Sequence, residues 1–207
     1  MGKAFTENER AEVQERLRRI GLELLRENGI RNVSIRELTR TAGIAQGGFY
    51  TFYKDKDDFV MDLMCLRVRE KTDLTYQNRR KIKGSPRDFL VDLFYQSGMH
   101  LKENKAFQNK ESDTLAFWRK EAGQGNRQIE KTYADFLRRM TGYWEKNGWK
   151  IEYDEKGLLD AGMAAGVLFS NAELFEEDYF EKIYRAFCES MVDRFFHAVL
   201  VKETGEA

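Results

Sequence analysis

An all-α fold is what this chain predicts, on three observations. Apolar residues recur at steps of three and four along most of its length, charged residues make up 34% of it, and Pro86 is its single proline in 207 residues. That combination favours long amphipathic helices over sheet. Hydrophobic content of 42% with 13% aromatics is enough to build a buried core. No run approaches the ~18 consecutive apolar residues of a membrane span. The opening MGKAFTENERAEV has no apolar h-region of a secretion signal, so a cytoplasmic protein is expected. Cys65 and Cys188 have no metal-ligand spacing and read as buried apolar fillers.

The first helix opens on a capping box, Thr6-Glu7-Asn8-Glu9, in which the hydroxyl accepts a backbone N–H and Glu9 reaches back. Val13, Leu17, Ile20 and Leu24 form its apolar stripe, and Asn28-Gly29 ends it with a left-handed cap. A second capping box, Ser34-Ile35-Arg36-Glu37, follows at once, with Val33 and Leu38 placed as a hydrophobic staple. This helix ends near Thr41, and Gly43 provides the turn. A short helix is expected from about Ala45 to Phe52, opening with Gln46-Gly47-Gly48. Glycines cost about 1 kcal/mol each inside a helix, but near its start they let backbone approach something bulky. Asp55 then caps a helix running to about Lys83, with Arg79 to Lys81 expected to complement its C-terminal dipole.

Gly84-Ser85-Pro86 is the clearest boundary, with Ser as N-cap and Pro as first helical residue. Helices are expected over 86–103, around 112–122, and over 126–146, with Gly123-Gln124-Gly125 breaking the chain between the last two. Residues 149–153 read as an extended link at most. Two final helices are expected over 154–175 and 178–201. The division that follows is a head over 6–53, with its two-helix motif at about 34–53, a connecting helix over 54–83, and a helical body over 84–203.

Two short helices joined by Ala42-Gly43-Ile44, then an aromatic cluster and a new helix opening among Lys and Asp, make the layout of a helix-turn-helix. That device lays a helix across the edges of DNA bases. The net charge is zero, from 35 Lys and Arg against 35 Asp and Glu. Up to Lys56, however, eleven basic residues stand against eight acidic ones, a modest bias that allows a polyanionic partner. Gln46 suits a bidentate contact to adenine, the Thr51 methyl suits thymine, and Gly47 and Gly48 suit close phosphate approach. Each of these exposed residues would otherwise be an ordinary solvated group.

The head resembles the TetR family of bacterial transcriptional regulators. The matching features are Gly29, Ser34 and Arg36, the Ala42-Gly43-Ile44 turn, Phe49-Tyr50, Tyr53 and Lys56, with Phe59 behind them. The motif-grade match covers about residues 6 to 60. Ala45 stands where the family usually has a side-chain cap, Gly48 replaces a hydroxyl or small residue, and Tyr53 replaces a common Phe. The resemblance implies that Tyr50 meets a phosphate, that Lys56 meets the backbone and that Arg36 reaches a phosphate or guanine. With Ser34, Gln46, Gly47, Gly48 and Thr51 these form the expected DNA-binding set.

The resemblance also implies a homodimer joined through the last two helices as a four-helix bundle, and an effector cavity among the middle helices. The expected dimer residues are Gly162, Ala165, Gly166 and Phe169 on one helix and Tyr184, Phe187, Met191 and Phe195 on the other. Expected cavity residues are Phe94, Met99, His100, Trp118, Phe136, Met140, Trp144 and Met163. Their aromatic and methionine content favours a hydrophobic or planar small molecule over a highly charged one. Each is individually compatible with plain core.

Nothing points to an enzyme. His100 and His197 are the only histidines, and no nucleophile motif, phosphate loop, metal site or cofactor signature occurs. The expectation is a homodimeric regulator of operator DNA, released by a small-molecule effector and acting as a repressor. An activator, or a helical small-molecule-binding scaffold with an idle head, remains as the alternative.

Overall fold

The computed structural model describes residues 6–28, 33–103, 124–169 and 171–201. Eight α-helices dominate them: α1 (Glu7–Asn28), α2 (Ile35–Ala42), α3 (Gln46–Phe49), α4 (Lys56–Gln77), α5 (Pro86–Glu103), α6 (Gln124–Glu145), α7 (Glu155–Phe169) and α8 (Glu177–Phe195). The helix expected around 112–122, Gly29 and Trp118 lie outside the described residues, as does the side chain of His100.

Local chemistry accounts for the helix boundaries. Thr6 Oγ1 accepts from the Glu9 amide at 3.3 Å while the Glu9 carboxylate accepts from the Thr6 amide at 2.8 Å, closing the first capping box. Ser34 caps α2 by accepting from the Glu37 amide at 3.3 Å. Val33 and Leu38, the staple pair, are both buried in the core of the head. Gly43 takes φ +70°, and its amide and that of Ile44 satisfy carbonyls at the end of α2. Asp55 caps α4 through the Asp58 amide at 2.9 Å, and Ser85 caps α5 through Asp88 at 3.1 Å.

The third helix is shorter than the expected 45–52. After Phe49 the hydrogen bonds tighten, Thr51 N to Gly48 O at 3.2 Å and Phe52 N to Phe49 O at 2.9 Å, so the last turn leaves the α-helical path. Two glycines in a four-residue helix leave little propensity to carry it further. The fourth helix stops at Gln77 rather than Lys83, and Arg79–Lys81 form a separate 3₁₀ turn. Arg79 still answers the end of α4, donating to the Tyr76 carbonyl at 2.9 Å, and its guanidinium lies 4.1 Å from the Tyr76 ring centre.

The largest departure from the expected layout is a two-stranded antiparallel ribbon. Residues Trp149–Tyr153 form β1 and Phe196–Leu200 form β2, in the register Trp149 to Leu200 through Tyr153 to Phe196. The last helix therefore ends at Phe195, and residues 196–200, expected to continue it, form a strand. Likewise α7 ends at Phe169, and Ala172–Leu174 make a 3₁₀ turn.

The core divides with the chain. Leu17, Leu25, Leu38, Phe49, Phe59 and Leu63 close the head, where α1 packs on α2 and α4. In the body, α6 packs along α4, and α5, α7 and α8 pack on one another around Leu90, Phe136, Met140, Trp144 and Leu158. Each fully buried side chain of this size contributes roughly 1.5–3 kcal/mol. No helix among the described residues is long and apolar enough to cross a membrane.

Candidate nucleic-acid interface

The turn after α2 and the cap of α4 flank α3, and the expected DNA-binding residues lie on α2 and its N-cap, on α3, just past it and at the start of α4. Ser34, Arg36, Gln46, Gly47, Tyr50 and Thr51 are exposed, while Gly48 and Lys56 are half-buried. Tyr50 is 54% exposed, and its ring stands edge-on to buried Phe49 at 5.4 Å. One side of the ring thus rests on the head's core while more than half of the residue stays exposed. Thr51 lies just past α3, exposed, and its hydroxyl donates to the Gly48 carbonyl at 2.7 Å. Partial burial draws the Lys56 ammonium below the ordinary lysine value, against the opposing pull of Asp57.

Packing within the chain does not call for the two glycines. A Cβ built on Gly47 meets nothing within 4 Å, and one on Gly48 meets only Ile44 at ordinary contact, 3.7 Å. Neither has a positive φ. Alanine at either position would fit the space the chain leaves and would favour the helix, by up to about 1 kcal/mol.

Four residues that brace this region, Arg10, Arg16, Arg18 and Asp62, have no sequence signature. Asp62 on α4 accepts from Arg18 of α1 through two bonds, 2.7 and 2.8 Å, and from the Tyr53 hydroxyl at 2.7 Å. The Tyr53 phenol is pushed well above its ordinary value by burial first and by Asp62 second. One carboxylate thereby ties α1, the segment after α3 and the connecting helix together. Arg10 donates to the Thr51 carbonyl at 2.7 Å and covers the Phe52 ring at 4.8 Å, and Arg16 donates to the Ala42 carbonyl at 2.9 Å. Partners about 26 to 44 residues apart in sequence leave no local pattern to find. Arg40 is exposed one turn after Arg36 on α2.

The residues expected to line a cavity scatter. Phe136, Met140 and Trp144 are buried in the body core, Phe94 and Met99 are half-buried beside a second cluster around Tyr184, and Met163 faces outward at 48% exposure. Those expected at the dimer interface divide by face. Ala165, Phe169 and Tyr184 are buried within the protomer, where Tyr184 packs on Phe169 at 5.4 Å and donates to the Phe94 carbonyl at 3.2 Å. Gly162, Gly166, Phe187, Met191 and Phe195 are half-buried. The outward large apolar side chains of this region are Met163, Val167, Leu174, Phe175, Tyr179 and Ile183. The period of the stripe was legible, but which of its two adjacent faces turns inward depends on how α7 and α8 meet. Among the described residues, no group of three or more His, Cys, Asp or Glu could hold a metal ion.

These features define a class, a helix-turn-helix head with a solvent-facing polar face, carried on a helical body. Residues 19–63 match the family described as bacterial regulatory proteins, tetR family. The HTH-type transcriptional regulator AcrR of Shigella flexneri is 25% identical over 88 residues, which span 42% of this chain and 41% of that protein. Among solved structures, RolR in complex with resorcinol aligns over 92% of this chain and 90% of its own, with TM-score 0.63 and 18% identity. The regulator FadR of Bacillus subtilis, in complex with stearoyl-CoA, aligns over 86% and 97%, with TM-score 0.56 and 16% identity. At such identities the structural likeness speaks for the fold. The sequence match to the tetR family is confined to the head, and the chain spans about two fifths of the length of its curated relative.

Proposed function

We propose that the chain is a DNA-binding transcriptional regulator, a homodimer that represses from a palindromic operator and is released by a small-molecule effector. The observation that carries the reading is the exposed face of Arg36, Gln46, Gly47, Tyr50 and Thr51, held by the Arg18–Asp62–Tyr53 network while two glycines leave backbone open to approach. In this reading residues 6–53 bind DNA, 54–83 connect, and 84–203 bind effector and pair with a second copy. Tyr50 and Lys56 meet phosphates, and Gln46 and Thr51 meet base edges.

The homodimer is supported by the outward apolar side chains on α7 and α8 (Met163, Val167, Tyr179 and Ile183), which a second copy would cover. Effector release is supported by the family and by the ligands in the names of its structural neighbours, resorcinol for RolR and stearoyl-CoA for FadR. Resorcinol is planar and aromatic and the stearoyl chain is apolar, the chemistry that the aromatic and methionine content of the middle helices favours, although the CoA group of the second ligand is polyanionic. By linkage, operator DNA and effector weaken each other's binding by the same factor.

The test is a gel shift with DNA flanking the gene for this chain. Wild type gives a salt-sensitive, sequence-dependent shift. Tyr50→Ala and Lys56→Ala abolish it while leaving the melting temperature and dimer intact. Variants that bind as wild type does, or a wild type that shifts no fragment, would sink the proposal.

A further inference from the structure

The β1–β2 ribbon has one edge whose backbone and charges are complementary to themselves. The Val201 amide donates to the Gly148 carbonyl at 2.8 Å and the Asp154 amide to the Phe195 carbonyl at 2.9 Å, just beyond the two ends of the ladder. Bonded pairs alternate along an antiparallel ladder, so even-numbered residues of β1 bond to β2. The N–H and C=O groups of Trp149, Ile151 and Tyr153 therefore point away from β2. Among the described residues, none supplies a hydrogen bond to them. An edge strand with free polar groups is a template for another strand.

We propose that this edge pairs antiparallel with β1 of a second copy, about a two-fold axis through Ile151. The parity fits, because the outward groups sit on odd residues and this axis brings odd residues opposite odd ones. Ile151 meets the partner's Ile151, and Trp149 meets the partner's Tyr153, each pair exchanging backbone hydrogen bonds. Lys150 then lies opposite the partner's Glu152 as a non-bonded pair, the kind in which Cα atoms approach to about 4.5 Å and side chains lie closest. Both residues are exposed on the outer face, and within one copy they already form an ion pair at 2.9 Å. Pairing the copies arranges two Lys and two Glu in alternation, so each charge gains a second opposite neighbour. Charges that blunt an edge against strangers usually repel a second copy as well. The Lys-Ile-Glu order attracts only a strand running the opposite way in this one register. The β2 edge, Phe196 to Leu200, has no such self-complementary charge pair.

Charge reversal tests the proposal directly. Self-association is measured by sedimentation velocity at about 0.1 M salt, where screening acts over ~10 Å. The set is wild type, Lys150→Glu, Glu152→Lys, the double exchange, and an equimolar mixture of the two single variants. Each single variant alone is expected to associate at least about ten-fold more weakly than wild type, because it sets like charges opposite each other. The double exchange and the mixture regain wild-type strength, since both restore opposite charges across the axis. The same series on an Ile183→Asp background, which disrupts the α7–α8 face, separates this contact from the pairing of those helices. Equal association of all samples overturns the proposal, whether because none self-associates or because a different partner strand uses the edge. A double exchange that stays weak overturns the register. The substitutions are on exposed side chains, and unchanged melting temperatures confirm that the fold is retained.

Discussion

The head and the body of this protein each close on an apolar core, but they present different surfaces and brace them differently. The head shows polar groups and bare backbone to solvent, and hydrogen-bonded charges set its outer face, with Asp62 gripping Arg18 and Tyr53 at 2.7–2.8 Å. The body shows Met163, Val167, Tyr179 and Ile183, and aromatic packing sets its interior, with Phe180 stacked on Tyr184 at 5.7 Å and Trp144 edge-on to Phe89 at 5.5 Å. Directional bonds suit a surface that must keep an orientation against a polyanion. Apolar packing suits a unit that encloses or pairs with apolar groups.

The largest expected effect breaks the body alone. Phe136→Ala, at a side chain 2% exposed, costs about 3–5 kcal/mol by opening a cavity among Leu90, Met140 and Trp144. In a thermal melt the body loses its transition first, and hydrogen exchange in α1 and α2 is the check that the head survives. The next effect concerns alkali. Burial pushes the Cys188 thiol up to about 11 from its ordinary 9.0, partly offset by Tyr184. A thiol kept neutral by folding contributes stability that is complete below pH 9 and is lost as pH rises through about 11. Wild type should therefore lose up to about 2 kcal/mol more than Cys188→Ala between those pH values, read by chemical denaturation at each.

Tyr53→Phe keeps the ring and removes the bond to Asp62, at an expected ~1 kcal/mol of head stability. Operator affinity should fall further than a comparable loss made in the body, because the bond orients the face. The smallest effect has opposite signs in its two readouts. Gly47→Ala should stabilise the head by about 0.5–1 kcal/mol, since its Cβ enters open space, and should still weaken DNA binding by filling that space.

The contrast between regions also explains what could be read from the residues alone. Thr6 with Glu9, Ser34 with Glu37, and Gly43 act within a turn or two of chain, so the head's helices and their order were legible. The ribbon was not. Phe195 and Val199 continue a spacing of three and four, and only pairing with Trp149–Tyr153, nearly 50 residues away, turns 196–200 into a strand. The same non-locality hid Arg18–Asp62, and it hid which side of α7 faces inward, so Ala165 and Phe169 were expected on an interface and lie in the core. Exposure of Arg36, Gln46 and Tyr50 followed from the motif, whereas the network that aims them did not.

The central claim is that the polar face of the head engages DNA as one of a symmetric pair. A footprint of wild type and Tyr50→Ala on DNA flanking the gene tests it most directly. The expected result is two protected half-sites centred about 34–36 Å apart along the duplex, both lost together in the variant. Protection of a single site, or protection that survives Tyr50→Ala unchanged, would contradict it.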